Sequence, residues 1–191
     1  PVTETTPEDT PIEVCLDASD VETDVLTVSV CGGPDNGTIS VAPAYNEVTD
    51  QVCFTYTPDP NFNGTDEVCI EVCDGDGACV STTATINVTP VNDPPVLTAI
   101  GNYSFNETTN ATIVLNATDI DSWGLNLTLN DSRFIKQPDG ITFIWKTNMT
   151  NSGIYAVNAT VRDSGLLNDS QVFDRALQAV IGNLREMQGN G

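Results

Sequence analysis

The side chains best suited to chemistry in this sequence are asparagines that can accept an N-linked glycan. Twelve of the 18 asparagines begin an Asn-x-Ser/Thr triplet, none of these triplets has proline in the middle, and nine end in threonine. Chance would give about three such triplets, although a Thr-rich and Asn-rich β protein can also collect them by accident. The excess predicts a chain that carries covalent N-glycans outside the cell. The acceptors are Asn36, Asn63, Asn87, Asn102, Asn106, Asn110, Asn116, Asn126, Asn130, Asn148, Asn158 and Asn168.

The second reactive set is a group of six cysteines. An even number confined to a short stretch predicts three disulfides and an oxidising compartment. The sequence has no histidine and no paired C-x-x-C knuckles, which argues against a zinc site. Six cysteines permit fifteen pairings. We expect Cys73–Cys79 across a Gly-rich turn and Cys31–Cys53 between two strands, which leaves Cys15–Cys69.

Carboxylates dominate the charge. Residues 1–93 contain 18 Asp and Glu and neither Lys nor Arg, and the whole chain has a net charge of −21. This charge excludes non-specific binding to nucleic acid and attraction to anionic lipid. The carboxylates either hold divalent cations or keep a secreted protein soluble. Without histidine, Ser-His and Cys-His nucleophile systems are impossible, and no carboxylate pair is marked for glycoside hydrolysis, so we expect no enzyme.

Strands must position these groups, and the sequence alternates between apolar and polar residues throughout. In the second half the odd-numbered positions of each alternating segment are apolar, so they should build a core while the even-numbered positions face solvent. This parity places the acceptors Asn116, Asn126, Asn130 and Asn158 on outward faces. It places Phe143, Trp145, Tyr155 and Val157 at the centre of the core, as packing residues. The segments are 112–118, 125–130, 142–146 and 155–161.

The first half follows the same pattern with turn signals rich in Gly, Pro and Asp between its segments. Several short strands at this spacing indicate a β-sandwich. The cysteines share the parity of the polar residues, so the bridges should join neighbouring strands on an outer face and not cross the core. The predicted strands are 12–16, 26–30, 37–41, 52–57, 67–72 and 78–88.

These patterns predict an all-β chain of two tandem β-sandwich domains, covering residues 1–93 and 94–182, with a tail at 183–191. The boundary segment 89–96 contains Pro90, Pro94 and Pro95, which predicts a short and stiff Pro-rich hinge. Residues 171–181 fit a closing strand, whereas residues 177–187 also fit one face of a helix; we favour the strand. No signal peptide or apolar run long enough to span a membrane is present, so we interpret the sequence as a mature or excised piece that does not insert into a membrane.

An ordered set of motifs in residues 5–96 resembles one unit of the tandem cadherin-like and bacterial Ig-like repeats of large secreted surface proteins. The motifs are Pro7-Glu8-Asp9-Thr10-Pro11, Asp20-Val21-Glu22-Thr23-Asp24, Tyr56 through Asp66, Val72 through Gly77 and Thr89 through Val96. Residues 97–182 resemble the same family more loosely, through the Asn106-Glu107 pair, Ala117 through Asp121 and Val161 through Gly165. The resemblance implies a string of Ig-like or cadherin-like sandwiches that serve adhesion or surface architecture.

The same resemblance implies calcium sites at the ends of the domains. Carried over to this sequence, the hinge ligands are Asn92, Asp93, Glu107, Asp119 and Asp121, with Asp163 as an addition. An equivalent set at the far end of the first domain comprises Glu8, Asp20, Glu22 and Asp74. The hinge lacks the full acidic linker of true cadherins. Acidic loops at domain ends are also common as plain solvated turns.

The function that these features favour is an extracellular structural glycoprotein at the cell surface. We expect a subunit or repeat unit that self-associates into a glycan-coated filament or fibre, in which residues 1–10 or the tail add a strand to a neighbouring sheet. The alternative is a calcium-stiffened adhesion module that binds a protein or a glycan through bare surface in residues 1–35 and 37–62, which have no acceptor. A third possibility is a spacer with no partner.

Overall fold

The computed structural model describes residues 1–19, 26–121 and 124–178. The regular elements of this part are all β-strands, which confirms the predicted all-β class. The chain divides into two compact units, Pro1–Val91 (unit 1) and Asn92–Gly191 (unit 2). Within the described ranges, no helix has the length and apolarity needed to cross a membrane.

The described residues of unit 1 form a sandwich of seven strands in two sheets. The strands are β1 Val2–Pro7, β2 Ile12–Asp17, β3 Thr27–Gly32, β4 Gly37–Asn46, β5 Gln51–Pro58, β6 Gly64–Cys73 and β7 Cys79–Thr89. One sheet has the order β1-β7-β6-β3 and the other the order β2-β5-β4. Strand β1 runs parallel to β7, and the remaining neighbours are antiparallel. Strands β2 to β7 lie on the six predicted segments, whereas β1 was not predicted and is part of its own unit's sheet.

The core of unit 1 lies between the two sheets and is built by one parity of each strand. On β5 the burial alternates at every residue, with Val52, Phe54 and Tyr56 at most 1% exposed. Burying each such side chain stabilises the fold by about 1.5–3 kcal/mol. The opposite parity carries Thr, Gln and Cys to the outer face, as period-two alternation requires. The other buried apolar residues are Val14, Leu16, Val68, Ile70, Ala84, Ile86 and Val88.

Three disulfides join neighbouring strands on the outer faces of unit 1, as the parity of the cysteines predicted. The Cys73–Cys79 bridge at the β6–β7 turn is confirmed. The other two predicted pairs are wrong, because the structure joins Cys15 to Cys53 and Cys31 to Cys69. A Cys31–Cys53 bridge needs β3 beside β5, but β3 pairs with β6 in the opposite sheet. Cys15 lies directly opposite Cys53 on β2 and β5, with 4.1 Å between their Cα atoms.

Unit 2 repeats this topology, with nine strands in the part that the structure describes. They are β8 Val96–Leu97, β9 Tyr103–Asn106, β10 Asn110–Val114, β11 Ala117–Thr118, β12 Asn126–Leu129, β13 Ile135–Lys136, β14 Thr142–Lys146, β15 Gly153–Arg162 and β16 Asn168–Gln178. The order β9-β16-β15-β12 matches the four-stranded sheet of unit 1, including a parallel first pair, and β10-β14-β13 matches the three-stranded sheet. A small β8–β11 pair is additional. Strand β16 overlaps the predicted closing strand, and residues 179–191 lie outside the described residues.

The predicted centre of the unit 2 core is confirmed. Phe143, Trp145 and Val157 are at most 6% exposed, and Tyr155 packs against them while half-buried. Trp145 meets the edge of Tyr155 with 5.8 Å between the ring centroids. The predicted parity therefore holds through β14 and β15.

A charged side chain completes this core. Arg175 on β16 is 0% exposed, and its guanidinium carbon lies 4.2 Å from the centroid of the Trp145 ring and 4.7 Å from that of Tyr155. Its Nη2 donates to Asp131 Oδ2 at 3.3 Å, while Nε and Nη1 have no hydrogen-bond partner within the described ranges. Burial lowers the pKa of Arg175, and the Asp131 carboxylate opposes this shift. The aromatic faces and Asp131 together replace the water that the cation has lost.

Candidate functional site

All twelve predicted acceptor asparagines lie in the described residues, and none of them is buried. Nine are exposed, and Asn36, Asn87 and Asn158 are half-buried. The amide nitrogen Nδ2 is the atom that receives an N-glycan. In residues 1–19, 26–121 and 124–178, no hydrogen bond uses the Nδ2 of an acceptor asparagine, whereas several of their Oδ1 atoms accept one. Among the described residues, the atoms that would be modified are therefore not held by an internal hydrogen bond.

The four-stranded sheet of unit 2 carries the densest group of acceptors on its outer face. Asn126 lies opposite Arg162, which in turn lies opposite Asn168, so these three residues form a row across β12, β15 and β16. Asn130 and Asn158 lie side by side, because the Asn158 backbone N–H donates to Asn130 Oδ1 at 2.8 Å. Glycans at these positions would cover this face.

The loop that carries Asn36 is held by a buried carboxylate. Asp66 on β6 is 4% exposed and accepts backbone N–H bonds from Asp35, Asn36 and Glu67, each at 2.9 Å. The Tyr56 hydroxyl donates to the same carboxylate at 2.9 Å. This arrangement fixes the backbone on both sides of the acceptor.

These hydrogen bonds also favour the charged form of the Asp66 carboxyl group. Burial alone would raise the pKa of the Asp66 carboxyl, but the three backbone N–H groups and the Tyr56 hydroxyl outweigh it and hold the pKa below its usual value. Burial raises the pKa of Tyr56, with the Asp66 carboxylate adding to the shift, so the phenol remains a donor.

Oxygen-bearing side chains at the start of unit 2 form a hydrogen-bonded acidic cluster. Asn92 Nδ2 donates to Asp163 Oδ2 at 2.8 Å, and the Asp93 backbone N–H donates to Asp121 Oδ2 at 2.6 Å. The Asp121 N–H in turn donates to Asp119 Oδ1 at 2.9 Å. Carboxylate oxygens of Asp93 and Asp121 lie within 4.8 Å of each other. Carboxylates are the hard oxygen ligands that Ca²⁺ prefers, so these two residues fit a shared calcium ion.

Glu107 does not belong to this cluster, which corrects the predicted hinge set. Its backbone N–H donates to the Gln178 carbonyl at 3.0 Å, at the end of β16. At the other end of β16, the Leu167 N–H donates to Asp163 Oδ1 just before the strand begins. Strand β16 is 11 residues long. At about 3.3 Å per residue the two ends lie roughly 33 Å apart.

The predicted far-end set of unit 1 is separated in the same way. The Glu8 N–H donates to the Thr89 carbonyl at 2.9 Å, and the Glu8 carboxylate accepts from Val91, both where β7 ends. Asp74 lies in the turn before β7 begins. Asp20 and Glu22, the other members of the set, lie outside the described residues.

Comparisons with known proteins agree with this architecture. Residues 1–89 match the family model of the bacterial Ig domain. No curated protein is similar in sequence. The predicted resemblance to cadherin-like and bacterial Ig-like β-sandwich repeats is confirmed by this match and by solved structures.

Three solved structures illustrate the likeness. The cadherin domains 1–4 of protocadherin gamma B7 match with a TM-score of 0.60 at 13% identity, covering 93% of this chain and 49% of theirs. Drosophila N-cadherin EC1-4 matches with a TM-score of 0.61 at 15% identity, covering 93% and 47%. Mouse cadherin-23 EC22-24 matches with a TM-score of 0.59 at 16% identity, covering 93% and 63%. The chain thus spans about half the length of the first two, and likeness at this identity establishes the fold alone.

Proposed function

We propose that this chain is an extracellular structural glycoprotein, a subunit or repeat unit of a glycan-coated surface filament. The observation that carries the proposal is the placement of the acceptors, since all twelve lie at exposed or half-buried positions. Outward-facing disulfides in unit 1 suit an oxidising exterior. The proposal includes no catalytic role.

A filament subunit also needs protein surface that glycans leave free. The three-stranded sheet of unit 1 offers such a face, because β2, β4 and β5 contain no acceptor asparagine and the acceptor next to them, Asn36, lies at one end of β4. Strand β4 is an exposed edge of this sheet, and its Val41 is 59% exposed. Edge strands and bare apolar side chains are the features through which sandwiches associate.

The test is to produce the chain in a host that attaches N-glycans and to examine it by glycopeptide mass spectrometry and electron microscopy. We expect glycan at most acceptors and linear particles that lengthen with concentration. Asn126→Gln and Asn168→Gln should each remove the mass of one glycan, whereas Asn46→Gln, at an asparagine outside any triplet, should remove none. Unmodified acceptors, or monomers at every concentration, would contradict the proposal.

The acidic cluster of unit 2 favours a second candidate, a calcium-stiffened adhesion module. Asn92, Asp93, Asp119, Asp121 and Asp163 would hold the ion. Bound calcium would neutralise mutual repulsion among the carboxylates and fix the loops that carry them. Electron microscopy with and without a chelator separates the candidates. Filaments that persist in chelator favour the structural polymer, and rods that lose their order favour the calcium-dependent module.

A further inference from the structure

Three exposed basic side chains of unit 2 form no ion pair with any carboxylate of the described residues. The described residues include five basic side chains, and two of them, Arg133 and Arg175, pair with Asp131. The sequence has 27 acidic residues, so carboxylate partners are abundant. The three cations without such a partner are Lys136, Lys146 and Arg162.

Each of the two lysines lies beside an acceptor asparagine. Lys136 Nζ donates to Asn126 Oδ1 at 3.0 Å. Lys146 on β14 lies directly opposite Asn110 on β10. Both of these residues alternate with buried neighbours, so they point to the outer face of the three-stranded sheet. Side chains that face each other in this way have their Cβ atoms about 4.5–5.5 Å apart, so the Lys146 ammonium can reach a sugar attached to Asn110.

The arginine lies between two acceptors. Arg162 on β15 is opposite Asn126 on one side and Asn168 on the other. Neighbouring strands are about 4.8 Å apart, so the two acceptors are roughly 10 Å apart with the arginine between them. Charges at that distance still interact at physiological ionic strength. A cation in this position would offset the mutual repulsion of two anionic glycans, whereas two neutral glycans would give it no electrostatic role.

The basic residues also follow the acceptors in their distribution between the units. Unit 2 contains nine of the twelve acceptors and all six basic residues, whereas unit 1 contains three acceptors and neither Lys nor Arg. Added cations reduce the net charge that keeps an acidic protein soluble, so solubility does not account for this placement. The cations therefore accumulate where glycans would be crowded.

We propose that the N-glycans of this chain carry anionic sugars, with sulfate or carboxylate groups, and that Lys136, Lys146 and Arg162 are their counter-ions. This inference rests on the proposed glycosylation and adds the chemical class of the glycan. A guanidinium offers paired N–H donors to an oxyanion, and an ammonium is a compact point charge that suits either group. Arg162 would thus bridge the glycans at Asn126 and Asn168. The outer face of unit 2 would carry fixed negative charge above a layer of protein cations.

Mass spectrometry of glycopeptides from the protein isolated from its own cells is the first test. We expect acidic groups on the glycans at Asn110, Asn126 and Asn168. Amidation of the released glycans with a carbodiimide separates the two sources, because it adds mass to carboxylate sugars and leaves sulfate esters unchanged. Neutral glycans at these three positions would overturn the inference and leave the glycoprotein proposal standing. A chain without glycan at any acceptor would overturn both.

A double-mutant cycle in the same cells tests whether Lys146 acts as a counter-ion. Lys146→Gln should lower the unfolding temperature by about 2 °C at low salt, because it removes one exposed charge pair. The same substitution should have no effect in the Asn110→Gln background, where the glycan is absent. Salt at about 1 M should also abolish the effect, since it screens the pair.

Arg133→Gln is the control for the cycle, because Arg133 pairs with the Asp131 carboxylate at 2.7 Å and not with a glycan. It should lower the unfolding temperature equally with and without Asn110→Gln. If Lys146→Gln also caused an equal loss in both backgrounds, the lysine would act through the protein alone. That result would overturn its assignment as a counter-ion even on a chain with acidic glycans.

Discussion

Glu107 donates its backbone N–H to the Gln178 carbonyl at 3.0 Å, and Glu8 makes the same contact with Thr89 in unit 1 at 2.9 Å. Each glutamate follows a strand that runs parallel to the last strand of its unit. Parallel pairing brings the end of the first strand to the end of the last, so both carboxylates lie where their units end. Glu107 is accordingly remote from the acidic cluster at the start of unit 2.

This geometry predicts which carboxylates matter for calcium. Asp121→Asn should weaken calcium binding at least about tenfold, because it removes one charge from a site built of carboxylates. Glu107→Gln should leave the affinity unchanged, since its side chain lies at the other end of the unit. Isothermal titration with calcium measures both, and the Glu107 variant is the matched control. Equal losses in the two variants would contradict the assignment.

The burial of Arg175 predicts that two substitutions at this position change the free energy of unfolding of unit 2 by different amounts. Arg175→Ala should lower the free energy of unfolding of unit 2 by about 3 kcal/mol, because it opens a cavity among the rings of Phe134, Trp145 and Tyr155. Arg175→Met should stay within about 1 kcal/mol of wild type, because it fills the space and removes a buried charge, while Asp131 retains Arg133.

Urea denaturation followed by tryptophan fluorescence reports on unit 2, where both tryptophans lie. Exposed Arg162→Met serves as the control. If the methionine variant were as unstable as the alanine variant, the cation itself would be stabilising the core.

Asp66 makes the stability of unit 1 depend on pH. Its folded-state pKa is below the unfolded value, so its contribution is fully present above the unfolded pKa and is lost as pH falls through the folded pKa. We expect the unfolding temperature to fall from pH 5 to pH 3. Asp66→Asn should lower it at pH 7 by roughly 10 °C and reduce its dependence on pH over that interval.

Differential scanning calorimetry of wild type and variant measures the unfolding temperature, and the transition that Asp66→Asn shifts is that of unit 1. Asp35→Asn is the control, because Asp35 is exposed and lies in the loop that the Asp66 carboxylate holds. A pH profile unchanged by Asp66→Asn would show that other carboxylates govern acid unfolding.

The disulfides should contribute unequally. The Cys15–Cys53 bridge spans 38 residues and the Cys73–Cys79 bridge spans six. Loop-closure entropy predicts that paired Cys→Ser substitution lowers the unfolding free energy by about 4 kcal/mol for the first and about 2 kcal/mol for the second. Peptide mapping of the unreduced chain checks the pairing, and a Cys15–Cys69 peptide would contradict it.

The sequence predicted the local features of the fold, and it failed where a result depended on which strands become neighbours. Alternation located β2 to β7, the core around Trp145 and the outward parity of the cysteines. It could not say that β3 joins β6 and not β5, which is why two bridges were mispaired. Nor could it reveal that β1 runs parallel to β7, which decides where Glu8 lies.

The buried arginine was within reach of the same reasoning. Phe173, Arg175 and Leu177 alternate along β16, and the two apolar residues mark that parity as inward. A charge at an inward position between them signals a partner in the core. Asp131, however, lies in a loop, and only the folded structure shows that it is the hydrogen-bond partner of Arg175.

The parallel pairing of first and last strands also governs how each unit would bear a pulling force. Tension applied at the start of β1 and the end of β7 acts along both strands in opposite directions. The hydrogen bonds between them are then loaded together in shear, so that they cannot be peeled apart one after another. Six residue pairs join β1 to β7 and four join β9 to β16. Unit 2 is therefore the link that should yield first when the chain is stretched.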